Sequence, residues 1–510
     1  DIKSNRYGKD LFSWMMLHDE AMEEVLLTVK PGDDKAKVAS LMTDAWISSP
    51  EQAEKYFNLM LACAVVFDTE VKAHPLAESA ASVPTTIEPH QRYLWYVEKN
   101  EKGKLATSIN SLSARDLVWV VCAPVETSEL EWAVDKMQLT RKKWGNAYGM
   151  IEYLMERAVK GLNPYKEYSF SEILKEGGIC GDQSYFCVNT ARALGVPAMT
   201  ISGETDLGGH AWAAVKVKDD EWDTHIGRIG GASNGEADNP QVGGRTSEQE
   251  VWLWNDRAQQ SRPTTLTVFR QLWLADFLDA ANQPAAAEES VRIANTLGHA
   301  FAETWVRLHE VLVHKTNASA DPGAADLVDA WIEFIFAMRK EFRENPRMAA
   351  LAAKAEVEHV FPFTKKEDAR LALGRERRRI ERNAGEQADL VADTLKREAD
   401  LIQSKGSPES IKEISQLYDR ALREYGGSIT GFKKMSEDYF SFARNDQETA
   451  RKAARDIELA FLRVVETGSK EWFRANTETS IYKMICSYYR TAGDEAKAEK
   501  LEKILAGLPL

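Results

Sequence analysis

The sequence predicts an α+β protein: a helical N-terminal segment, a mixed central domain and an all-α C-terminal region. Three observations carry that prediction. Apolar residues recur at helical period toward both ends of the chain. Short aromatic and β-branched runs, glycine-rich turns and alternating residues gather between them. At 510 residues the chain exceeds one ordinary core, so several domains are expected. The expected divisions are 1–87, 88–260 and 261–510.

In the first of these, Leu11, Met15, Met22, Val25 and Leu26 form a stripe near helical period that ends at Pro31-Gly32. Further helical runs span about 34–49 and 51–71, and Pro75 and Pro84 punctuate the exit. In the central domain, residues 93–97 and 117–121 are short, aromatic and β-branched, and read as strands or buried segments. Residues 129–160 read as helix, and 198–202, 210–217 and 222–226 as strands. Residues 230–248 are dense in Gly, Asn, Pro and Ser and read as a long loop.

After about residue 262 the pattern is helical almost throughout. Residues 274–293 and 484–505 each show a helix, a small or polar turn and an Ala-rich helix, with turns at Ala281-Asn282-Gln283 and Ala492-Gly493-Asp494. Such units resemble tetratricopeptide-type helix pairs. Gly406-Ser407-Pro408 and Asn445-Asp446 read as further turns, spaced too widely for a regular repeat, which implies an irregular solenoid or bundle.

A net charge of −14 argues against general nucleic-acid binding and against docking to an anionic membrane. No apolar run approaches the ~18 residues of a spanning helix. The five cysteines, at 63, 122, 180, 187 and 486, are too sparse for a disulfide framework and form no CxxC or zinc pattern. The chain begins at Asp1 rather than methionine, as after removal of a signal peptide or after trimming.

The chemistry concentrates in two short segments. Gly177-Gly178-Ile179-Cys180-Gly181-Asp182-Gln183 opens a helix that closes at Gly195 and Pro197. A cysteine at a helix N-terminus meets unpaired N–H groups and a dipole that favour its thiolate. Gly208-Gly209-His210-Ala211-Trp212 opens a strand, and a histidine near that cysteine would deprotonate the thiol and later protonate a leaving group. The structural alternatives are a helix-start cysteine and a hydrogen-bonded strand histidine.

Taken together, the Gly-x-Cys helix, the Ala-Leu-Gly-Val-Pro exit at 193–197 and Gly-His-Ala-Trp make residues 140–232 resemble the transglutaminase-like superfamily, a branch of the papain-like fold. The resemblance implies Cys180 as nucleophile and His210 as base, and a papain-like α+β core. Bacterial relatives lean toward hydrolysis, sometimes carry tetratricopeptide-like helices after this domain and are often exported. On that basis a periplasmic or secreted location is an open expectation. No cofactor is implied, and no calcium loop is visible.

The third triad position departs from the family pattern. The family places an Asp on the strand after His-Ala-Trp, where this chain has Glu221-Trp222-Asp223-Thr224-His225. His225 stands at or next to the Asp position, with Asp223 as the alternative. A tight turn at Asp219-Asp220 would put residue 229 opposite His210, with His225 and Asp223 on the same face roughly 13 and 20 Å away. A turn at Val217-Lys218 would bring His225 opposite His210. Glu236 or Asp238 could otherwise supply the carboxylate.

Gly178, Gly181, Gln183, Trp212 and Trp222 are candidates to line a substrate groove, and Gln138, Trp144 and Asn146 to supply a second oxyanion donor. His309 and His314 are five residues apart, so they leave a common helix face and form no metal site. The Arg375–Arg379 run reads as a solvated helix face, and Cys187 as buried core. The leading expectation is cysteine-dependent acyl transfer or hydrolysis at an amide, with a protein or peptide substrate. The rival is a degenerate enzyme fold acting as a scaffold, with a protein partner on the helical repeats.

Overall fold

The computed structural model describes residues 6–48, 50–73, 85–205, 208–230, 232, 235–241, 243–342, 346–364, 371, 374–375, 378, 388–403, 408–426, 429–467 and 478–506. The chain divides into two compact units. The first comprises Asp1–Ser202, Ala211–Arg228 and Glu236–Arg262; the second comprises Gly203–His210, Ile229–Gly235 and Pro263–Leu510. The expected exit prolines Pro75 and Pro84 both lie in the 74–84 stretch, outside the described residues.

The first unit begins with helices Arg6–Leu17, Asp19–Thr28, Lys35–Ser48, Pro50–Lys55 and Phe57–Val66, close to the predicted runs. Phe57–Val66 is buried on almost every side and packs on Ala114–Val121. The expected strands at 93–97 and 117–121 are helices, Pro89–Glu101 and Ala114–Val121. Their start signals decide it: Pro89 opens the first, and the Ser113 hydroxyl caps the second by accepting from Asp116 N. Burial on most faces hides the helical period that would mark a surface helix.

Arg92 is buried and donates to the carbonyls of Val121 (3.1 Å), Ala123 (2.9 Å) and Val125 (2.8 Å), satisfying the end of Ala114–Val121. Tyr96 Oη donates to Val120 O and to Arg192 O, so the same helix grips the end of Cys180–Ala193.

The expected helix over 129–160 is broken into Thr127–Lys136, a 3₁₀ turn at Arg141–Lys143, and short helices Asn146–Gly149 and Met155–Lys160. Arg141 explains one break. Its Nε donates to Lys216 O and its Nη2 to Lys218 O, both at 2.7 Å, and Nη1 pairs with Asp219, which pins this segment to a strand turn.

Among the described residues the strands form one five-stranded sheet in the order β3-β2-β1-β4-β5. These are β1 Ala198–Thr205, β2 Gly208–Lys218, β3 Glu221–Ile226, β4 Glu236–Asp238 and β5 Arg245–Ser247. The last two pair antiparallel inside the stretch expected to be a loop. β3 is an edge strand, and Asn255 covers its free backbone: Trp222 N donates to Oδ1 (2.7 Å) and Nδ2 donates to Trp222 O (2.9 Å).

In the second unit, helices Arg262–Ala280 and Pro284–Leu297 meet at the predicted turn, where Asn282 adopts φ 57°. Glu478–Thr491 and Glu495–Ala506 meet at the predicted Ala492–Asp494 turn, and Arg451 donates to Ala492 O and Gly493 O. The Asn445-Asp446 turn joins Ile429–Ala443 to Gln447–Thr467. The turn expected at Gly406-Ser407 lies outside the described residues, as does part of the Arg375–Arg379 run.

Candidate functional site

Cys180 is the first residue of Cys180–Ala193, at the positive end of the helix. The far end closes at Gly195, φ +76°, through Val196 N to Ala191 O and Gly195 N to Arg192 O, both 2.9 Å. A Cβ at Gly195 would lie 2.9 Å from Thr107 O. Ala106 N donates to Leu194 O, so both the side and the end of this helix are fixed.

The near end is held by a buried polar cluster. Asp182, in the first turn, accepts from Ile179 N (2.8 Å), Tyr168 Oη (2.8 Å), Arg157 Nε (2.8 Å) and Arg157 Nη2 (3.3 Å). Its side chain is 3% exposed and that of Arg157 14%. Arg157 also lies over the Tyr165 ring, whose hydroxyl donates to Gly177 O at 2.6 Å. The loop before the cysteine is bridged to the upstream chain: Tyr153 pairs parallel with Gly178, Gly178 N donates to Glu152 O, and Leu154 N donates to Gly178 O.

Of the groove candidates, Gly178 is a packing position, since a Cβ there would lie 2.5 Å from Asp182 Cβ. Gln183 is buried and donates to Ile151 O, and Trp212 and Trp222 are buried. Gly181 faces open space beside the thiol. Trp144 is fully buried with its indole N–H on Cys187 O, while Gln138 and Asn146 are exposed.

None of the five cysteines is in a disulfide, and Cys180 alone among them is only part-buried. Burial pushes Cys63 and Cys187 up to about 12, and raises Cys122 and Cys486. Tyr148 and Tyr153 both sense the charge of Cys180. Burial first, then that charge, raises each phenol above its ordinary value. Tyr148 Oη donates to Ala211 O (2.9 Å), and its ring occupies the space beside Gly227, where a Cβ would lie 2.3 Å from the ring.

His210 is half-buried in β2, on the segment assigned to the second unit. The β2–β3 turn is the tight one, with Lys218 opposite Glu221. Val215 pairs with Asp223 and Ala213 with Ile226, so Thr224 and His225 together oppose Ala214 as a β-bulge. The alternative turn that would set His225 opposite His210 is therefore not the one formed. Ala214 and Val215 lie roughly 13 and 16 Å along β2 from His210.

The bulge also separates two residues expected to share a face. Asp223 shares the face of Val215, where its charge reaches Cys187 of the Cys180 helix. Its Oδ1 accepts from His225 N at 3.0 Å. His225 is exposed, contacts Thr224 Oγ1 at 3.3 Å and stacks on Trp252. Glu236 and Asp238 stand on β4 beside Arg245, at 3.7 and 3.6 Å.

The sequence reading passed over Tyr148, Tyr153, Arg157 and Asp182. Asp182 carried a readable signal, an acidic residue three positions after a helix cap. Among the described residues no group of three or more His, Cys, Asp or Glu side chains could hold a metal ion, and no helix is long and apolar enough to cross a membrane. His309 instead packs edge-on against Trp331.

A search of the curated proteins finds no match to the chain. The family model of the transglutaminase-like superfamily matches residues 141–224, from the arginine that pins the β2–β3 turn through Cys180 and His210 to the bulge residue Thr224. Residues 141–224 are a transglutaminase-like superfamily domain.

Proposed function

We propose that the protein performs cysteine-dependent acyl chemistry at a carbonyl, by hydrolysis or by transfer to an amine. One observation carries this reading: the thiol inside the family match that starts a helix is the part-buried one, while the other four are buried. Cys180 Sγ is the nucleophile and His210 the base that takes its proton. The thiolate attacks the carbonyl carbon, the carbonyl electrons move onto oxygen, and collapse expels the leaving group and leaves a thioester. Water or an amine then releases the acyl group. A dyad is the working unit, because the register sets Asp223 and His225 beside Val215 and Ala214 rather than at the start of β2.

That displaced carboxylate favours the second reading, a scaffold that binds a protein partner through tetratricopeptide-like helix pairs of its C-terminal region. The test is acylation of the whole chain by p-nitrophenyl acetate, read by intact mass. The enzyme reading expects an acetyl adduct that Cys180→Ser abolishes and His210→Ala slows by about 10²-fold or more. Equal labelling of wild type and Cys180→Ser favours the scaffold.

A further inference from the structure

An oxyanion formed at Cys180 needs a donor besides the backbone N–H at the helix start. The nearby donors are mostly committed. The Trp144 indole serves Cys187 O, the Gln183 amide serves Ile151 O, and the Tyr148 hydroxyl serves Ala211 O. Tyr153 differs from these. Its backbone is bridged to Gly178, two residues before Cys180, and hydrogen bonds on both sides of it hold that bridge.

Paired residues of a bridge direct their side chains to the same side. At Gly178 that side is the first turn of the helix, where a Cβ would touch Asp182 Cβ and Tyr165 Oη. The charges of Cys180 and Asp182 are the two that act on the Tyr153 phenol, which agrees with that placement. Tyr153 is 39% exposed, and its hydroxyl makes no hydrogen bond among the described residues.

We infer that Tyr153 is the second oxyanion donor, its phenolic O–H hydrogen-bonding the carbonyl oxygen of an acyl substrate as Cys180 attacks. The inference rests on the acyl-transfer reading. The proton stays on the phenol throughout. The thiolate forms the C–S bond, the carbonyl π pair becomes the oxyanion, and its return expels the leaving group; water later cleaves the thioester to acid and thiol.

The test compares wild type, Tyr153→Phe and Tyr153→Gln in two reactions of the whole chain. Alkylation by iodoacetamide is displacement at a saturated carbon and forms no oxyanion; acylation by p-nitrophenyl acetate forms one. The expected result is an acylation rate about 10²-fold lower in Tyr153→Phe, alkylation of Cys180 unchanged within twofold, and partial recovery in Tyr153→Gln, which restores a donor. Unchanged acylation in Tyr153→Phe overturns the assignment, as does an equal fall in both reactions. A wild type whose Cys180 alkylates no faster than a free thiol overturns the acyl-transfer reading itself, and the role of Tyr153 with it.

Discussion

Cys180 and Asp182 share one helical turn, yet a buried carboxylate so close to a nucleophile would oppose its thiolate unless neutralised. Arg157 neutralises it, with Nε 2.8 Å from Asp182 Oδ2 and both side chains largely shielded. Arg157→Met would strand that carboxylate, and a loss of about 3–5 kcal/mol is expected, read as a lower thermal midpoint. The double variant Arg157→Met/Asp182→Asn should recover much of it. Equal midpoints for wild type and Arg157→Met would refute the pairing. At this scale the segments around Cys180 and His210 stood out in the sequence because chemistry restricts residue type and neighbours, and both lie inside the family match. Tyr153 and Arg157 did not stand out, since a bridge joins Tyr153 to Gly178 and an ion pair joins Arg157 to Asp182, each between residues distant in sequence. The register beside the third position was not readable, because a bulge at Thr224-His225 is invisible to strict alternation.

Turns were readable, and helices buried on most faces were not, even where a proline or a capping serine marks their start. The turns at 281–283, 445–446 and 492–494 were placed from Asn, Asp and Gly, whereas Pro89–Glu101 and Ala114–Val121 mimicked strands. Packing between helices also sets a pH response. His359 stacks on Trp331 at 4.0 Å, and His309 packs edge-on against the same ring, joining Ala302–Ala318, Ala325–Glu341 and Pro346–His359. Burial is the main cause holding both imidazoles below the ordinary 6.5; Glu358 opposes it at both, Glu310 opposes it at His309, and Lys354 adds to it there. The folded state therefore keeps them neutral while the unfolded chain takes up protons near pH 6.5, so the unfolded state binds more protons below that value. Stability from this cluster is complete above about pH 6.5 and falls as the pH drops toward the lowered folded values. The helical thermal midpoint should decline from pH 7.5 to pH 5, and decline less in His309→Gln/His359→Gln. Parallel declines in both proteins would rule the cluster out.

For the molecule as a whole, helical period, short β-branched runs and chain length predicted a largely helical chain around a small mixed domain, and the family match falls within the bounds expected for that domain. The hairpin of β4 and β5 escaped because three-residue strands carry too little alternation to read. The central claim is that one thiol of five, Cys180, is built to react. Its most direct test is the rate of iodoacetamide alkylation from pH 4 to 9, mapped by peptide mass in the native protein and in His210→Ala. The account predicts labelling confined to Cys180, fast well below the ~8.5 of a free thiol, and lost at low pH in His210→Ala. A Cys180 profile like that of a free thiol, indifferent to His210→Ala, would contradict it.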